Sequence, residues 1–411
     1  MLDAKPAAPR PDDTRSDAAR PEAGRPEAAR PEAARIDARE AEGAPRAAQA
    51  TTADPLASPR PADRTPHMPA DHPPVRPAKV GVLLANLGTP DGTDYRSMRR
   101  YLSEFLSDRR VIDYSPWIWQ PLLQGVILSK RPFSSGAAYR SIWNEEADES
   151  PLMTITKRQT AKMRERLRAR YGEDVVVDFC MRYGNPSTAS RVEVLREQGA
   201  RRILFFPLYP QYAGATTATA CDQLFRALMR DKWQPPVRTV PAYFEEPAYI
   251  EALAASVERA YAEAEEPPEV LVCSYHGVPK RYLLEGDPYH CQCQKTSRLL
   301  RERLGWGPEK LVTTFQSRFG PEEWLKPYTV EEVARLAESG VRRIAVVAPA
   351  FSADCIETLE EIREEIRESF EEAGGEHFTY IPCLNDDDAH IEALCEAIET
   401  NLAGWIAPGR G

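Results

Sequence analysis

Hydrophobic residues along the chain fall into two alternating patterns. Short, nearly uninterrupted apolar runs stand at 80–87, 175–180, 202–208 and 237–243, and again at 270–275, 311–315, 344–348 and 378–383. Between them lie longer segments with apolar positions at helical spacing, among them 156–170, 218–230, 249–263, 296–304, 330–338 and 356–370. Continuous apolar strands separated by helices predict parallel strands covered on both faces. Two sets of four strands therefore predict an α/β protein with two four-stranded parallel sheets flanked by helices. The N-terminal lobe is expected over 79–245, the C-terminal lobe over 246–405, and a short tail over 406–411.

Parallel sheets bind ligands outside the carboxyl ends of their strands. The polar residues at those predicted ends are Asn86, the pair Arg182 and Tyr183, and Tyr209 to Tyr212 in the first half. In the second half they are Ser274 to His276, Gln316 to Arg318, and the run from Pro349 to Asp354. That last run leads into an acidic helix. Asp354 and Glu357 have the spacing of a capping box, and Ile356, Leu359, Ile362 and Ile366 form the expected apolar stripe. Carboxylates recur at Glu357, Glu361, Glu364, Glu365 and Glu368. A solvated face accounts for most such runs; here the first carboxylate stands where it can line a pocket and handle a cation or protons.

Composition separates the first 78 residues from the rest. They hold fifteen of the 37 prolines, no Phe, Trp or Tyr, and a near-repeat of RPEAA across 20–34. Such a segment cannot bury enough apolar surface to order itself and is expected to be a disordered arm over 1–78. It carries acidic residues throughout and no apolar core, unlike a transit or secretory signal. The net charge of −10 with no basic patch argues against nucleic acid as a partner. No apolar run reaches the length of a membrane span. The eight cysteines are scattered, which fits reduced thiols in a cytoplasmic protein. One stretch departs from the alternation: 114–128 places two Trp and a Tyr between prolines, and reads as core, as a lip over an apolar ligand, or as an edge touching a membrane.

His276, at a strand end and flanked by Gly277 and Pro279, can accept a proton or bind a first-row metal. Glu357 can do either from the same half of the chain. Two protein groups with open coordination positions suit a metal that is handed on, not one stored in a closed site. Metal insertion into a macrocycle needs such parts: a base, a metal-delivering carboxylate and an apolar clamp. No GxGxxG after the first strand, Walker A, HExxH or GxSxG motif offers a competing chemistry.

Four motifs in order then carry a resemblance: LANLGTPD at 84–91, SYHGVP at 274–279, FQSRFGPEEWLKPYT at 315–329 and PAFSADCIETLEEI at 349–362. Over 79–402 the chain resembles the ferrochelatases, the terminal enzymes of haem synthesis. The resemblance implies two Rossmann-like, chelatase-like lobes around a porphyrin cleft, and insertion of ferrous iron into protoporphyrin IX with release of two protons. It implies that His276 and Glu357 are the catalytic and metal-site pair, with Glu361 and Glu365 continuing a proton or metal path. Arg131, Tyr139, Ser150, Arg182 and Trp324 are implied porphyrin contacts, Thr89 and Pro90 part of the floor, and 114–128 an apolar lip.

Two positions depart from the pattern. Cys355 stands where many members carry a second histidine. Gly214 and the single Cys395 near the chain's end do not supply the ligands of the two-iron two-sulfur cluster that some members hold. Cys291 and Cys293 are the remaining candidates for such a cluster, which is not expected; no cofactor beyond the ferrous substrate is required. The alternatives are a coproporphyrin III ferrochelatase and a non-catalytic two-lobed binder of tetrapyrrole or metal. A monomer or homodimer is expected, cytoplasmic or peripheral to the inner membrane through 114–128.

Overall fold

The computed structural model describes residues 77–318 and 320–407, together with 69, 71 and 72. Apart from those few positions, the arm expected over 1–78 lies outside the described residues, as do 408–411 of the tail. Eight strands form two four-stranded sheets. β1 (Lys79–Thr89), β2 (Val175–Gly184), β3 (Ala200–Pro207) and β4 (Val237–Thr239) make the first, in the order β2-β1-β3-β4. β5 (Val270–His276), β6 (Leu311–Gln316), β7 (Arg343–Val347) and β8 (His377–Ile381) make the second, in the order β6-β5-β7-β8. All pairings are parallel, and the two halves share one topology without sharing a sequence repeat.

The central strands are buried almost from end to end, as their unbroken apolar runs require. One hydrophobic core runs through both sheets, joining Val82, Leu84 and Phe206 of the first to Leu271, Tyr275 and Phe315 of the second. The helix Asp388–Leu402 reinforces this union by packing on the helix Pro151–Tyr171 of the N-terminal half. Arg166 pairs there with Asp388 at 2.9 Å and Glu392 at 3.1 Å, and Arg170 with Glu399 at 2.7 Å. Gln159 Nε2 donates to the carbonyls of Ser352 and Asn385, both at 2.9 Å, beneath the same seam.

The acidic helix differs from its expected form in two ways. Over Glu357–Ile366 it is a π-helix, with i→i+5 bonds that widen the turn. The buried positions are Thr358, Ile362 and Ile366, so Ile356 and Leu359 of the expected stripe sit only half-buried. Asp354 also does not form the expected capping box. Its buried carboxylate accepts from Thr358 Oγ1 at 3.1 Å, Cys383 N at 3.2 Å, Asn385 Nδ2 at 2.7 Å and the Tyr380 hydroxyl. Just before the helix, Cys355 N donates to Thr358 Oγ1 at 3.0 Å. Asp354 is thus a buried anchor that fixes the loop leading to Glu357.

Candidate active site

The C-terminal ends of β1, β3, β5 and β7 open into one cleft between the two sheets. Its empty space, counted out into open solvent, is about 1240 Å³. Its walls are mostly apolar and aromatic, with Tyr101, Phe105, Ile142, Leu152 and Ile356 among them. No Lys or Arg lines it among the described residues. The mouth of β1 depends on one glycine: Gly88 has φ +116°, and a Cβ there would stand 2.0 Å from the Tyr183 carbonyl oxygen.

His276 ends β5 and lines the cleft. Its Nδ1 lies 2.7 Å from the carbonyl oxygen of Gly277. A carbonyl only accepts, so Nδ1 carries a proton, and in this tautomer the lone pair of the ring is at Nε2. Trp324 packs beside it with ring centroids 6.4 Å apart. A side chain at Gly277 would meet the Gln316 carbonyl oxygen at 2.7 Å and the Trp324 ring at 3.0 Å, so this turn needs a glycine for close approach.

Glu357 reaches the same cleft from the first turn of the π-helix. Positions four apart stack on that widened helix, which sets Glu357, Glu361 and Glu365 in line from the cleft to the exposed surface. Glu361 Oε2 accepts from Gln316 Nε2 at 3.0 Å and from Ser317 Oγ at 2.5 Å. Gln316 Nε2 also donates to the Glu357 carbonyl at 2.8 Å. Ser317 holds φ +66°, a left-handed conformation costly for a serine, and sits where β6 hands over to this network. Burial, then repulsion from neighbouring carboxylates, raises the pKa of Glu360 and Glu365 above the ordinary range.

Tyr139, Ser150 and Trp324 line the cleft. Ser150 caps the helix behind it by accepting from Met153 N at 3.2 Å, which leaves its hydroxyl proton for a ligand. Burial first, and the nearby Glu357 charge next, push the Tyr139 phenol far up, so it stays a neutral donor. Cys355 lines the cleft with its thiol raised by burial and by Glu357; it supplies a small neutral group in place of a second imidazole. Thr89 and Pro90 border a neighbouring depression that shares Ser150 with the cleft.

Two implied porphyrin contacts stand elsewhere. Arg182 is buried behind the wall, its guanidinium paired with Asp108 and donating from Nε to Thr219 Oγ1 at 2.6 Å. An arginine so deep must spend its donors on protein partners. Arg131 lies on the exposed side of the helix Leu128–Ser141, outside the lining.

The stretch 114–128 also divides. Trp119, Leu123 and Leu128 pack behind Tyr101 and Tyr139, whereas Trp117 and Ile118 are 91% and 73% exposed. No residue of 114–128 lines the cleft itself. Cys291 and Cys293 are two apart on the helix Tyr289–Arg303, one exposed and one buried. Thiols two apart on a helix point to different sides of it.

Tyr101 and Phe105 were not among the expected site residues. Their signal is the stripe Met98, Tyr101, Leu102, Phe105 of the helix Tyr95–Leu106, whose apolar face looks like plain core. Among the described residues no helix is long and apolar enough to cross a membrane.

A family model described as Ferrochelatase matches residues 79–402. The chain is 72% identical over 342 residues to a ferrochelatase of Rhodobacter capsulatus, spanning 83% of this chain and 97% of that protein. It is 57% identical over 338 residues to a ferrochelatase of Rhizobium johnstonii, spanning 82% and 98% respectively.

Proposed function

The chain belongs to the ferrochelatase family, metal-inserting lyases of haem biosynthesis, and from that premise we propose that its substrates are protoporphyrin IX and ferrous iron. The observation that supports this reading is that the Nε2 lone pair of His276 and the carboxylate of Glu357 enter one apolar cleft. Insertion requires two pyrrole N–H protons to leave, the metal to shed water, and the flat ring to bend. His276 takes a proton or holds iron at Nε2, and Glu357 does the complementary work. Glu361 and Glu365 continue the path to solvent, while Tyr139 and Ser150 offer hydroxyls to the ring's polar edge.

The wall also favours protoporphyrin over coproporphyrin III. Burying each additional propionate without a cationic partner is costly, and among the described residues the cleft lining holds no Lys or Arg. Vinyl groups fit that wall better than two further carboxylates. Porphyrins partition into bilayers, and the exposed Trp117 and Ile118 give the protein an apolar edge with which to touch one.

Initial rates of zinc insertion into the two porphyrins, measured side by side with the purified chain, test the reading. Faster insertion into protoporphyrin IX is expected, and a preference for coproporphyrin III contradicts it. With protoporphyrin supplied in phosphatidylcholine vesicles, Trp117→Ser is expected to slow the vesicle reaction alone; equal rates there rule out the membrane contact.

A further inference from the structure

The two sides of the cleft are also joined near its mouth by an arginine. Arg281 lies on the short helix Lys280–Leu284, directly after the turn that carries His276. Its guanidinium pairs with Asp113 at 2.5 Å, with Glu322 at 2.7 Å and with Glu285 at 3.6 Å. Asp113 belongs to the N-terminal half, two residues after the cleft-lining Val111 and just before the exposed aromatic helix Pro116–Leu122. Glu322 sits two residues before Trp324, in a loop that Lys280 and Glu323 also tie down at 3.1 Å. The guanidinium stacks 4.6 Å from the ring centroid of Tyr282, another lining residue. Three walls of the cleft thus converge on one side chain.

We propose that the Asp113–Arg281 pair is an ionic tie that slows the exit of bound porphyrin, setting its residence time and not the rate of metal insertion. This rests on the reading that the cleft takes a flat tetrapyrrole. Apolar walls hold such a ring without direction, and a rigid macrocycle leaves only when the walls part. Asp113 is the substituent whose loss reports on the tie alone, because Arg281 then keeps Glu322 and Glu285. Neither Asp113 nor Arg281 lines the cleft, so both act as positioning residues. The side chains are 36% and 33% exposed, which makes the pair weak enough to open in each turnover and sensitive to salt.

The test follows dissociation of zinc protoporphyrin from the full chain into excess phosphatidylcholine vesicles, by stopped-flow fluorescence. Asp113→Asn is expected to raise the dissociation rate about two- to five-fold at low ionic strength, with single-turnover zinc insertion unchanged and Asp113→Glu restoring the slow exit. Added salt is expected to speed the wild type toward the variant and leave the variant unmoved. An unchanged dissociation rate in Asp113→Asn, with normal binding and insertion, overturns the tie alone. A parallel drop in single-turnover insertion overturns it too, since it marks a general structural role. Failure of the wild type to bind the porphyrin overturns the reading of the cleft.

Discussion

Replacing His276 by alanine is expected to lower metal insertion by about 10²- to 10⁴-fold, the usual contribution of a positioned proton acceptor, while porphyrin still binds. The ring's neighbours explain the split between binding and chemistry. The apolar walls that would hold a macrocycle, Tyr101, Phe105, Leu152 and Ile356, come from elements other than the strand that carries His276. What the substitution removes is the Nε2 lone pair, fixed by the 2.7 Å bond from Nδ1 to the Gly277 carbonyl. His276→Gln, which cannot act as a base near neutral pH, should be no better than alanine. Zinc insertion followed by absorbance, alongside quenching of porphyrin fluorescence by the protein, measures both quantities. Retained insertion would place the proton acceptor elsewhere.

Arg182→Ala is expected to cost about 3–5 kcal/mol of stability, the range for breaking a buried ion pair from one side. The side chains of Arg182 and Asp108 are 5% and 6% exposed. Without the guanidinium, Asp108 is left as a buried charge with hydrogen bonds from Thr219, the Arg110 amide and Tyr183 only. Burial alone would raise the Asp108 pKa. The Thr219 and Arg110 hydrogen bonds and the Arg182 charge outweigh it and hold the carboxyl below its ordinary value.

The sign follows from that depression. The stabilisation is present above the unfolded carboxyl pKa of about 3.9 and is lost as pH falls through the lower folded value. The variant should therefore lose most at neutral pH and approach the wild type in acid. Urea unfolding at pH 7 and pH 3 checks this; a neutral-pH loss below about 1 kcal/mol would show the pair to be dispensable.

The chain's patterning made the sheets legible because each central strand is buried on both faces and spells an unbroken apolar run. The site was legible for a related reason. Parallel strands converge at their carboxyl ends, so His276 and the loop before Glu357 could be placed on one edge without coordinates. The π-helix was not legible. A stripe at Ile356, Leu359, Ile362 and Ile366 fits an α-helix as well, and only the burial of Thr358 reveals the wider turn. Asp354 misled through local chemistry: its capping-box spacing is genuine, but Tyr380, Cys383 and Asn385, distant in sequence, outcompete the helix amides.

Arg182 shows the limit of motif transfer. The residue stands in the motif that implied a porphyrin contact, yet its donors go to Asp108 and Thr219, which lie outside that motif. Tyr101 and Phe105 were hidden for the opposite reason, since an aromatic facing a cleft and one facing a core follow the same helical spacing.

The most direct test of the central claim is zinc insertion into protoporphyrin IX by Glu357→Gln, with porphyrin binding read in the same sample. A carboxylate and an imidazole sharing one slot predict binding within about two-fold of the wild type and insertion reduced at least ~100-fold. Insertion at a near-wild-type rate by that variant would contradict the account.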